Sequence, residues 1–101
     1  MNSGKKVLLD FTSVEVETHI DEFETIDISK LVGNSLRMGT NDIGLDDMCR
    51  EIYHNGKTEV PVEWLTVLKQ LTVSPQVPMV ISAKQAVLKV IEKAEKGSQK
   101  Q

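Results

Sequence analysis

Aromatic side chains are scarce: Phe11, Phe23, Tyr53 and Trp64 make up 4% of the 101 residues. A core must therefore be built from Leu, Ile, Val and Met, and a thin aliphatic core of this kind gains from burial against a second molecule. The single cysteine, Cys49, excludes an internal disulfide, and no C-x-x-C pattern surrounds it to suggest a metal site. Nowhere do about 18 apolar residues follow one another, so no membrane-spanning helix is expected. The opening MNSGKKVLLDF reaches Asp10 after three apolar residues, too short a run for a secretory signal. A cytoplasmic, reducing environment is the expectation that follows.

What is present is ordinary globular material, with 40% hydrophobic and 27% charged residues. The length suits one domain, expected over residues 1–96, with the polar end GSQKQ (97–101) as a flexible tail. A net charge of −3 is spread unevenly. Residues 1–27 hold seven acids (Asp10, Glu15, Glu17, Asp21, Glu22, Glu24, Asp27) against Lys5 and Lys6, whereas residues 80–101 hold five lysines against Glu92 and Glu95. Opposite signs at the two ends could guide copies of the chain together, although exposed charges of this kind also serve simply as solvated faces.

The segment KKVLLDFTSVEVETHIDEFETIDIS carries the two-residue period of β-structure. Val14, Val16, Thr18 and Ile20 form one set and Glu15, Glu17 and His19 the other, while Val7, Leu9 and Phe11 alternate on the opposite parity. A bulge or turn at Thr12-Ser13 must absorb that change. The expected solution is a long bent strand that turns at HIDE and pairs with residues 23–28, a β-hairpin over about 5–28.

Helical periods follow. Ile28, Leu31, Val32 and Leu36 share a face of a short helix over about 28–38, with Asp27 or Ser29 as N-cap and Gly39 as a left-handed stop. Gly33 weakens its middle by about 1 kcal/mol relative to Ala, which close approach of another backbone would explain. In the next helix, about 44–54, Leu45, Met48, Cys49, Ile52 and Tyr53 face inward and Asp46, Asp47, Arg50, Glu51 and His54 outward, between an Asn41 or Asp42 cap and Asn55-Gly56. Pro61 suits the first turn of a third helix, about 61–72, with Trp64, Val67, Leu68 and Leu71 buried. SPQVP breaks the chain, and a last helix over about 79–95 turns Val80, Ala83, Val87, Val90, Ile91 and Ala94 inward. The fold class is α+β: a hairpin followed by about four helices.

Enzymatic parts are missing. Cys49 and His54 diverge by roughly 140° around one helix and cannot pair, so a thiol nucleophile would need His19 from elsewhere. Asp47, Glu51 and His54, with Asp42 and Asp46 nearby, could edge a divalent ion, yet neither the HExxH order nor an EF-hand loop is present. Acids in a first helical turn already serve the helix dipole. GNSLRMGTNDIG lacks the spacing of a phosphate loop. NGKTEVP is too long for a helix-turn-helix connection, and Lys84, Lys89, Lys93, Lys96 and Lys100 are the only basic footprint for nucleic acid. No catalytic, cofactor or metal residue is assigned, and no cofactor is expected.

IDISKLVGNSL joined to NDIGLDDMCREIYHNGKTEV resembles small uncharacterised proteins of bacteriophages and mobile elements of gut-type bacteria, over about residues 23–60. A more distant likeness, in architecture alone, is to phage tail assembly chaperones. The resemblance implies an assembly or host-interaction role and transfers no catalytic residue. The expected function is thus a non-enzymatic protein–protein interaction module, able to self-associate through its acidic hairpin and basic last helix. The alternatives are a metal-dependent or ligand-binding protein using Asp47, Glu51 and His54, a nucleic-acid-binding regulator using the C-terminal lysines, and an inhibitor of a host defence enzyme.

Overall fold

Eight elements follow one another in the computed structural model, which describes residues 5–99 and side chains through residue 97. They are β1 (Lys6–Asp10), β2 (Val14–His19), β3 (Glu22–Ile26), α1 (Ser29–Arg37), α2 (Ile43–Asn55), β4 (Lys57–Pro61), α3 (Trp64–Thr72) and α4 (Ile81–Gln99). The class is α+β, with two antiparallel two-stranded sheets, β1–β4 and β2–β3.

The parity change at residues 11–13 ends one sheet and starts another, rather than bending a single strand. Asp10 Oδ1 accepts from the Thr12 N–H at 2.9 Å and from the Thr12 hydroxyl at 2.6 Å, a local turn that stops β1. Phe11, 1% exposed, is the joint. Its N–H donates to the Gly56 carbonyl and its own carbonyl accepts from the Ile28 N–H. The expected turn in HIDE is present, with Asp21 at φ 65°. The chain bulges between Glu17 and His19, and not at Thr12-Ser13. Only Val14 and Val16 of the expected inward set are buried. Thr18 and Ile20 extend beyond the core, and β3 is exposed at every position.

β1 takes its partner from within NGKTEVP, expected to be a connection. The register runs from Lys6 opposite Pro61 to Asp10 opposite Lys57. Pro61 therefore closes a strand instead of opening a helix, and α3 starts at Trp64 because the Val62 N–H is still bonded to the Lys5 carbonyl. The later start also rotates the buried stripe of α3. Leu65, Leu68 and Thr72 are buried, Trp64 and Leu71 are partly so, and Val67 is 47% exposed.

α1 and α2 pack closely, and Gly33 is the reason they can. A Cβ built on it would stand 2.6 Å from the Cys49 carbonyl oxygen. Neither Asp27 nor Ser29, the expected caps, occupies the N-cap position, which falls to Ile28 without a side-chain cap; the Asp27 carboxylate instead accepts from the N–H and hydroxyl of Ser29. Leu31, expected inside, is 42% exposed, and Ser35 takes its place in the packed face. Gly39 does not adopt the expected left-handed conformation. It is small because a Cβ there would meet Val77 and Leu71. α2 matches expectation at both ends: the Asp42 side chain accepts from the Leu45 N–H, and Gly56 stops the helix at φ 81°.

α4 lies across β1 and β2 and buries Ala83, Ala86, Val87 and Ile91. Val80 precedes the helix and is 68% exposed. The helix continues through residues 97–99 of the expected tail, while residues 100 and 101, and so Lys100, lie outside the described residues. Lys69 on α3 donates to Glu95 on α4 at 2.9 Å. The single core cluster joins inward residues of β1, β2, β4 and all four helices.

Candidate functional site

The residues of α2 that invited chemical readings do not converge on a site. Cys49 is fully buried, and burial pushes its thiol up to about 11, the reverse of what a thiolate nucleophile needs. His19 stands at the hairpin tip, 3.7 Å from Glu22, and joins no cluster with Cys49. Glu51 accepts from the Thr58 hydroxyl and is drawn towards β4. His54 presents an edge contact with the Tyr53 ring, and Asp47 is exposed. Among the described residues, no group of three His, Cys, Asp or Glu side chains comes together with room for an ion.

Tyr53 departs from expectation. It is half-buried, with the Lys30 ammonium 4.5 Å from its ring centre, and it opens with His54 onto a shallow cleft of about 160 Å³ between α1 and α2. Arg37 and Arg50 flank that cleft, but both point at Asp46, at 2.6 and 2.9 Å. Those two guanidinium groups hold the Asp46 carboxyl below its ordinary range. Their charge is thus partly spent within the protein, and the cleft serves as a braced helix contact.

A larger groove lies where β1 meets α4. The Phe11 N–H donates to the Gly56 carbonyl and the Lys5 carbonyl accepts from the Val62 N–H, the two residues that flank β4. In an antiparallel ladder successive residues alternate, so the peptide groups of Lys6, Leu8 and Asp10 point away from β4. None of these groups bonds another described residue. Beside this edge is a groove of about 840 Å³. Leu8, Val14, Ala86, Val90 and Ala94 supply its apolar surface, Lys89, Lys93 and Lys96 with Glu92 its helical rim, and Asp10 and Glu15 its strand rim. Leu8 is 52% exposed, a large apolar side chain directed to water.

The edges of β4 and β3 are blunted. On β4 the same alternation turns Lys57, Glu59 and Pro61 outward, and Pro61 has no N–H to offer. β3 carries Glu22 and Glu24. The expected lysine stripe on α4 is divided, because Lys84 donates to the Ser74 carbonyl and Lys89 sits 5.4 Å from the Phe23 ring centre.

Pattern reading missed the β1 edge. The one signal available was Leu8, an apolar residue on the polar parity of VLLDF, and its meaning depends on knowing that β4 occupies only one side of the strand.

The fold and site define a small α+β protein with an open strand edge above an apolar groove. No protein-family model, curated protein or solved structure matches the chain. Among the described residues, no helix is long and apolar enough to cross a membrane.

Proposed function

We propose that this chain is a cytoplasmic, non-enzymatic protein-binding module that takes up an extended segment of a partner along β1. The observation that carries the reading is the coincidence of unpaired peptide groups at Lys6, Leu8 and Asp10 with the apolar groove beside them. Main-chain bonds from a strand edge supply affinity, and a groove reading alternate side chains supplies specificity. The groove has Asp10 and Glu15 on its strand side and three lysines with Glu92 on its helix side, so a segment with an apolar centre and charges of both signs fits it. A phage-type assembly or host-interaction role, the one the sequence resemblance implies, is the setting we propose for this binding.

The test is selection of peptides from a displayed library on the immobilised full chain. Selected peptides are expected to alternate apolar and charged positions, to lose binding when alternate backbone nitrogens are methylated, and to fail on a Leu8→Glu protein. Leu8 is half in water, so that substitution spares the core. Selection of no peptide with both dependences refutes the reading.

The ion-binding alternative on Asp47, Glu51 and His54 has less support, since Glu51 is turned to Thr58 and His54 to Tyr53. Nucleic-acid binding through Lys84, Lys89, Lys93 and Lys96 is weakened by the engagement of Lys84 and Lys89.

A further inference from the structure

Resting on the strand-uptake reading, we infer that the segment taken up is β1 of a second copy, paired antiparallel about a two-fold axis through Leu8. The sequence of the edge carries this. In KVLLD, reversal about Leu8 places Lys6 opposite Asp10 of the partner and Asp10 opposite the partner's Lys6, with Leu8 against the partner's Leu8. These are the residues whose peptide groups face outward, so all three pairs are hydrogen-bonded pairs of an antiparallel ladder. The two sheets become one, in the order β4-β1-β1-β4, and the same patch serves both subunits.

Pairings through the β3 edge lose by charge. β1 against β3 of a second copy, antiparallel with all five residues matched, sets Asp10 opposite Glu22 and Leu8 opposite Glu24. β3 against itself, centred on Glu24, sets two glutamates face to face. Like charges directly opposite destabilise a ladder, and opposite charges support it. The Lys6–Asp10 pairing also extends a row already present, because Asp10 lies opposite Lys57 on β4 and Thr12 fixes its carboxylate. The thin aliphatic core and the exposed Leu8 give a second copy apolar surface to cover. An acidic hairpin seated on the basic helix of another copy, the contact suggested by net charge, offers no such match.

The experiment is a charge exchange followed by sedimentation velocity on the full chain, with circular dichroism as the folding control. The unaltered protein is expected to be a dimer. Lys6→Asp alone and Asp10→Lys alone each place like charges opposite one another at two positions and weaken the dimer by about tenfold or more. An equimolar mixture of the two variants restores both opposite-charge pairs and is expected to associate as tightly as the unaltered chain. Asp10→Lys also removes the Thr12 turn. If it unfolds, Lys6→Asp together with hydrogen exchange at the Leu8 amide, slow in the dimer and fast on dilution, decides the matter. A protein that is monomeric up to about 1 mM, or a dimer untouched by Lys6→Asp, overturns the proposal. A monomer that still selects backbone-dependent peptides overturns the second copy and leaves strand uptake standing, whereas a monomer that selects none overturns both.

Discussion

Replacing Gly33 with Ala sets two effects of opposite sign against each other at one atom. Gly33 is inside α1, where Ala is favoured over Gly by about 1 kcal/mol. On helix propensity alone, Gly33→Ala stabilises. The added methyl, however, would stand 2.6 Å from the Cys49 carbonyl oxygen, 3.0 Å from Tyr53 Cβ and 3.1 Å from the Tyr53 backbone nitrogen. Two of those three atoms are backbone of α2, and the third is fixed to it, so no side chain can rotate away. Relief requires α1 and α2 to separate, which disturbs Val32, Leu36 and Cys49 in the core. Overpacking of this kind costs about 1–3 kcal/mol, and the position against a rigid helix argues for the upper part of that range. Subtracting the propensity gain leaves a net loss of about 1–2 kcal/mol. Urea unfolding followed by circular dichroism should show a lower midpoint with an unchanged slope, and thermal unfolding a fall of about 4–8 °C for each kcal/mol. A variant as stable as the parent or more so refutes the reading that helix contact dictates this glycine.

Cys49 should react with a thiol reagent only on unfolding, since burial holds it at about 11. Modification at native pH 7 as fast as that of a free thiol would contradict this. Phe11→Ala should cost about 3–5 kcal/mol by denaturant titration, because its ring is 1% exposed where β1, β2 and β4 meet. A loss below about 1 kcal/mol would show that the joint is elsewhere. Asp46, held low by Arg37 and then Arg50, stabilises the fold fully above the unfolded carboxylate value near 4 and loses that contribution as pH falls through its lower folded value. Asp46→Asn should therefore flatten the fall of the unfolding midpoint below about pH 4, and an unchanged acid limb would remove Asp46 from the acid response.

The α2 helix was legible because its signals are local. Asp42, the spacing Leu45-Met48-Cys49-Ile52, and Asn55-Gly56 all act within fifteen residues, through a cap, a periodic face and a glycine free to take positive φ. The turn at HIDE belongs to the same kind of inference, whereas the need for glycine at position 33 comes from the contact of α1 with α2. Tyr53 shows its edge: periodicity put it on the inward side, but it lies where α2 emerges from under α1, and so it meets Lys30 and solvent.

β4 could not be found this way. KTEVP carries one strongly apolar residue and a proline, and becomes a strand only because β1, far away in sequence, lies beside it. The exposure of Leu8, the rotation of α3 and the crowding that requires Gly39 all follow from that pairing and from how the helices close over it. Caps, turns and helical faces depend on forces between near neighbours, which residue order fixes directly. Strand partners and open edges depend on which distant segments meet, and that is settled when the whole core packs.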